Sequence, residues 1–155
     1  MNNPDQTTTV TFTTNAQAAP NRPVNQLSTH RGFLKYILLT IVTLGIYHIV
    51  FFNGIASDVN TIAGRNDGKK TMNYWLLSLV IGPLTLGIGY LVWYHKLSKR
   101  VGKELRRREH VSTFGSHTFW LWNVLGTAIV VGPFIYVHKL CVAVNRLAKD
   151  YNENG

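Results

Sequence analysis

Charge is what this sequence has least of. Only 15% of its 155 residues are Asp, Glu, Lys or Arg, against about 25% in an average soluble domain. The shortage is worst for acids, with 7 Asp and Glu facing 16 Lys and Arg. Paired-carboxylate catalysis and proton-coupled transport therefore lose their usual groups. A single cysteine, Cys141, excludes an internal disulfide framework and any multi-cysteine metal site. It reads as a small apolar filler, with a lipid-modified thiol beside a membrane as the sharper alternative. No nucleophile elbow, phosphate loop or HExxH spacing is present. The six histidines, His30, His48, His95, His110, His117 and His138, lack the spacing of metal ligands. No catalytic residue, metal or cofactor is expected.

What is present is apolar and basic. Hydrophobic residues make up 46%, mean hydropathy is slightly positive at +0.03, and the formal net charge is +9. Residues 1–30 are rich in Thr, Asn, Gln and Ala and read as a disordered polar tail. Three apolar blocks follow, at 33–52, 74–94 and 118–137. At about 1.5 Å per residue each reaches roughly 30 Å, the thickness of a bilayer core. Trp75, Trp93, Trp120 and Trp122 lie near block ends, where an aromatic belt would sit. The expectation is an all-α integral membrane protein with a helical membrane domain over 31–153.

The blocks belong to an internal repeat. Offsets of 42 and then 43 residues align Phe51 with Trp93 and Tyr136, and Val59-Asn60 with Val101-Gly102 and Val144-Asn145. A fixed period points to copies of one unit. Each copy ends in an amphipathic basic tail with apolar positions at Ile55, Val59 and Ile62, at Leu97, Val101 and Leu105, and at Leu140, Val144 and Leu147, one face of a helix. Two topologies remain open. Single crossings are favoured, and a count of ten basic residues against six on alternate sides then places the N-terminus in the cytoplasm. The alternative is a re-entrant or broken helical hairpin in each unit, turning near Gly45, near Gly82-Pro83 or Gly87 to Gly89, and near Gly132-Pro133, where Pro interrupts the helix ladder and Gly tolerates a turn.

The densest charge lies at Lys96, Lys99, Arg100, Lys103, Arg106, Arg107 and Arg108. These residues are candidates for contact with anionic lipid headgroups or with a protein partner, although a positive-inside topology signal is the favoured reading of the run. Glu104 falls four residues from both Arg100 and Arg108, the spacing of helix-stabilising ion pairs. No aromatic stacking platform accompanies the basic run, so a nucleic-acid partner is not expected. Small residues four apart, Ser78 and Gly82, Thr85 and Gly89, and Ala128 and Gly132, would allow close helix approach, and Asn123 could add an interhelical hydrogen bond.

The stretches Leu38 to Tyr47 with Asp58-Val59-Asn60, Thr85 to Tyr90 with Trp93 and Gly102 to Leu105, and Phe119 to Gly126 with Val131 to Tyr136 resemble a family of small bacterial membrane proteins, domain of unknown function 4234. The resemblance implies a multi-pass protein of the bacterial inner membrane and carries no activity. The expected function is that of a non-catalytic membrane scaffold, accessory subunit or interaction module, with membrane lipids and a protein partner or homo-oligomer as contacts. A small oligomeric channel or transporter is the alternative, its path lined by Thr40, Thr43, Ser78, Thr85, Asn123 and Thr127.

Overall fold

The computed structural model describes residue 23 and residues 25–155, so most of the expected polar tail lies outside the described residues. Each repeat unit forms a helical hairpin. In the first, α1 (Phe33–Val42) turns at residues 43–45 into α2 (Ile46–Asp67). In the second, the short arm runs through α3 (Tyr74–Leu76), a π-helical stretch Leu77–Ile81 and α4 (Gly82–Leu84), and returns as α5 (Ile88–Arg107). The third arm runs through α6 (Ser116–Thr118), a π-helical stretch Phe119–Val124 and a 3-10 stretch Leu125–Ile129 before α7 (Gly132–Asn154). Pro83 has no N–H to give to the helix ladder, and the ladder widens just ahead of it.

The long returning helices α2, α5 and α7 form the core. Ile55, Val59 and Ile62, Leu97, Val101 and Leu105, and Leu140, Val144 and Leu147 are all buried. They are the apolar faces of the three basic tails, packed against one another. The helices run parallel. Near their starts Phe52 meets Tyr94 at 5.1 Å and Tyr94 meets Tyr136 at 5.9 Å between ring centroids. At the opposite ends Asn66 donates to Glu104, Arg65 donates to the Tyr151 hydroxyl, and Arg108 pairs with Asp150. All three hairpin turns consequently lie at one end of the bundle.

Closure is cyclic. Asn145 on α7 exchanges two hydrogen bonds with the main chain of Arg31, ahead of the first hairpin (3.1 and 3.2 Å). Asn60 on α2 does the same for Thr71, ahead of the second (2.6 and 3.0 Å). The aligned residue of α5 is Gly102, where an added Cβ would lie 2.5 Å from the Phe114 carbonyl oxygen. The third lead-in thus packs directly against backbone, and Gly supplies the room that Asn supplies as hydrogen bonds. Each lead-in segment is held by the long helix of the preceding unit, with α7 holding the first.

This architecture corrects the expected fold. No helix of the described residues is long and apolar enough to cross a membrane. The block at 33–52 is cut at Thr43-Leu44-Gly45, leaving α1 with 10 residues and a length of about 15 Å. The block at 74–94 is cut at residues 85–87 and the block at 118–137 at residues 130–131. The long helices begin with the second half of each block and continue into a charged tail. Hydropathy counts apolar residues and is blind to a left-handed residue in their midst. Three single crossings are therefore overturned, and with them the integral multi-pass membrane protein, the inner-membrane location, membrane lipids as partners, the membrane scaffold and the channel or transporter alternative.

Candidate functional site

Two surfaces stand out, an apolar end and a basic flank. At the apolar end the first two turns are copies of one motif. Gly45 donates to the Thr40 carbonyl (2.8 Å) and Leu44 to that of Ile41 (3.1 Å), while Gly87 donates to Gly82 (2.9 Å) and Leu86 to Pro83 (3.3 Å). This is the paired bonding of a Schellman helix end, but its left-handed position is filled by leucine, with φ of 50° at both Leu44 and Leu86. The following glycines, Gly45 and Gly87, have φ of 93° and 89°, which Gly adopts without steric cost. Thr43 and Thr85 clamp the turns. Thr43 Oγ1 donates to the Leu39 carbonyl (2.7 Å) and accepts from the Tyr47 N–H (2.9 Å), and Thr85 repeats this with Ile81 and Gly89 (2.6 and 2.9 Å). In the third turn Val130 takes the positive φ, 63°.

The turns present bare apolar side chains. Leu44 is 95% and Leu86 94% exposed. Around them Leu38, Ile41, Val42, Leu79, Val80, Leu84, Leu125, Ile129 and Val131 are also exposed. No Asp, Glu, Lys, Arg or His occurs in residues 36–47, 74–94 or 118–137, so this end of the bundle is without charge among the described residues. Thr43 and Thr85, expected to line a pore, serve the turns instead, and Thr127 likewise bonds within its own arm to the Asn123 carbonyl.

Beneath the turns lies a buried polar chain. The Tyr36 hydroxyl bonds His48 Nδ1 (2.6 Å), His48 Nε2 bonds the Tyr74 hydroxyl (2.9 Å), and Tyr74 bonds the Tyr94 hydroxyl (2.8 Å). Burial lowers the His48 pKa, which favours the neutral ring, and pushes the Tyr36 hydroxyl up to about 12. Phe52 packs on His48, Tyr74, Trp93 and Tyr94. Trp93, expected in an interfacial belt, is buried here and donates Nε1 to the Met72 carbonyl (2.8 Å). Cys141 is buried too, and burial raises its thiol to about 11. Such a thiol is held in its inert form.

The basic segment divides in two. Arg100 and Arg108 are fastened inside the fold. Arg100 grips Asp67 with two bonds (2.8 and 2.9 Å) and also reaches Thr71 (2.8 Å), Asn60 and the Lys69 carbonyl. Its hydrogen bonds hold the Asp67 carboxyl below the usual carboxylate range. Glu104 accepts from Arg107 and Arg108 (2.7 and 2.9 Å). Burial pushes the Glu104 carboxyl up, and those two guanidiniums outweigh it and hold it low. The expected pairing of Glu104 with Arg108 forms, whereas Arg100 turns away from Glu104 to Asp67. Asp58 pairs with Arg31, but there burial prevails and its pKa is raised. By contrast, Lys96, Lys99, Lys103 and Arg106 are exposed. The three lysines join Lys69 and Lys70 along a groove of about 1090 Å³, whose apolar wall includes Met72, Ile81, Ile88, Val92 and Trp93.

The small residues act within hairpins. A Cβ on Gly82 would lie 2.4 Å from the Tyr90 ring, and on Gly89 2.8 Å from Ile81. Tyr90 also hydrogen bonds the Ser78 carbonyl (3.3 Å). A Cβ on Gly132 would meet the Trp122 carbonyl oxygen at 2.2 Å and Gly126 Cα at 2.3 Å. Gly126 was not among the expected packing residues, although Gly126 and Gly132 flank the third turn. Ala128 is exposed and Asn123 half-buried.

These features define an all-α protein of three helical hairpins closed around a parallel three-helix core, with an uncharged end and a basic flank. Residues 31–103 match the model of the family described as Domain of unknown function (DUF4234). The match covers the first hairpin and most of the second and bears out the resemblance there; the third hairpin lies beyond it. No curated protein and no solved structure matches the chain.

Proposed function

We propose that this protein is a non-catalytic assembly module that self-associates through its uncharged end. The observation that carries this reading is the presentation of Leu44 and Leu86, nearly fully exposed, on left-handed backbone. A left-handed L-residue costs about 1–2 kcal/mol, and strain of this kind concentrates where a side chain has a task. The surrounding area is sufficient. At roughly 100 Å² for each fully exposed Leu-sized side chain, implied by about 2.5 kcal/mol of burial at ~25 cal/mol per Å², the eleven tip side chains named above, scaled by their fractional exposure, reach about the 800 Å² that one partner gives a standard interface. Charge selects the geometry. With a net charge of +9 on the chain, these ends let two copies meet without like-charge repulsion.

The non-catalytic part rests on the carboxylates. Asp67, Glu104 and Asp150 are each engaged by arginine and held below the usual carboxylate range, which leaves them ill-suited to accept or release a proton at neutral pH. Sedimentation velocity tests the assembly. Wild-type protein is expected to sediment as a dimer or larger species, and Leu44→Lys/Leu86→Lys as a monomer with unchanged helical circular dichroism. A wild-type monomer at about 100 μM, a concentration that still reveals micromolar association, overturns the reading.

A further inference from the structure

The groove on α5 has a ligand chemistry of its own. Ile88, Val92, Lys96, Lys99 and Lys103 are spaced 4, 4, 3 and 4 residues apart, so they form one stripe on one helix face. The stripe is apolar over its first half and cationic over its second, and runs for about 22 Å. The rest of the lining follows the same division, with Ile81 and Thr85 packed beside Gly89 in the apolar half and Lys69, whose carbonyl Arg100 reaches, next to Lys70 in the basic half. Arg100 is already committed to Asp67, the one carboxylate in the lining. None of the five lysines has an ion-pair partner among the described residues.

We propose that this groove binds a single-chain anionic amphiphile, its head among Lys96, Lys99 and Lys103 and its chain over Ile81, Ile88 and Val92. A small inorganic anion would leave the apolar half uncovered, and a neutral apolar molecule would leave the ammonium groups without a counter-charge. The volume, about 1090 Å³, lies just above the ~300–1,000 Å³ range of small-molecule sites and leaves room for one ligand with an extended chain. Flexible lysines accept either a carboxylate or a phosphate, because an ammonium recognises charge and lacks the planar fork that selects between them.

Isothermal titration of the full-length chain tests this with dodecanoate and dodecyl phosphate, each below its micelle threshold. Inorganic phosphate and dodecyltrimethylammonium serve as head-only and charge-reversed probes. One site per chain is expected for at least one anionic amphiphile, and the stronger of the two identifies the head. Replacing Lys96, Lys99 and Lys103 together with Ala should weaken it about a hundredfold through lost head contacts. Val92→Asp should weaken it about tenfold or more through the chain. All four positions are exposed, so thermal unfolding should not change appreciably, and sedimentation of the same samples reads self-association separately. Equal binding of the cationic probe, inorganic phosphate binding as tightly as its dodecyl ester, binding unaltered by both variants, or no saturable binding overturns the proposal.

Discussion

Leu44 and Leu86 hold the same left-handed backbone, φ 50°, at the same place in two successive hairpins, and each is followed by a glycine that continues the turn. Neither side chain is buried, so the strain is not repaid by packing within the chain. Replacing either with Gly removes the steric clash at the cost of a more flexible unfolded chain. The net gain should be about 0.5–1 kcal/mol for each site, read as a higher urea midpoint. The same variants should assemble less well. A stability gain accompanied by loss of association would mark these leucines as strained for a purpose; a stability loss would mean that the strain is absent.

Arg100 should be among the least replaceable charged residues. Its side chain is 10% exposed and that of Asp67 16%. Arg100→Ala leaves the Asp67 carboxylate, the Asn60 amide and the Lys69 carbonyl without their shared donor, an expected loss of about 2–3 kcal/mol in urea unfolding. Arg100→Lys should recover less than half of it, because an ammonium cannot reproduce the two-pronged grip. The pair also sets an acid limit. Since the folded Asp67 pKa is depressed, its contribution is complete above the unfolded value of about 3.9 and disappears as pH falls through the folded value. Wild-type protein should lose that increment below about pH 4, while Arg100→Ala should show a flatter acid limb.

Much of this arrangement is legible in the sequence, and the reasons for the rest are physical. The repeat and the inward positions Ile55, Leu97 and Leu140 follow from periodicity, and those residues fill the core. The topology turns on Thr43-Leu44-Gly45-Ile46 and its copy Thr85-Leu86-Gly87-Ile88. Read for hydropathy, each is a continuation of an apolar run; read for backbone, the repeated Thr and Gly were the available signal of a turn. The glycines marked these turns in the broken-hairpin alternative, near Gly45 and Gly87 to Gly89, but the unbroken apolar length of each block favoured single crossings. Arg100 was given the wrong partner for a different reason. Glu104 offered a local partner four residues away, but the three-helix packing brings Asp67, 33 residues earlier, to the guanidinium. The basic run alone could not reveal which cations the fold consumes.

His48 should give the fold a second dependence on pH, opposite in origin to Asp67. Burial lowers its pKa, and Tyr36 and Tyr74 occupy both ring nitrogens. The unfolded chain therefore binds a proton near the ordinary histidine value of about 6.5 that the folded chain refuses. Stability should be full above that pH and decline as pH falls through it. Urea midpoints measured between about pH 7.5 and 5 should show this decline, and His48→Phe should flatten it while lowering stability through the unpaired Tyr36 hydroxyl. An unaltered slope in the variant would assign the dependence to another group.

The glycines offer the sharpest contrast in magnitude. At Gly132 a Cβ would come within 2.4 Å of three backbone atoms, the Trp122 carbonyl oxygen and Gly126 Cα and C. Backbone cannot swing aside as a side-chain tip can, so Gly132→Ala must push the 3-10 arm away from α7, with an expected cost of about 3 kcal/mol. Gly54 lies inside α2, and a Cβ there meets nothing within 4 Å. Gly54→Ala should stabilise by about 0.5–1 kcal/mol through helix propensity and a less flexible unfolded chain. The two substitutions add the same methyl group, and chemical denaturation should separate them by about 4 kcal/mol. Equal effects would mean that the third hairpin does not close through the Gly126 and Gly132 contact.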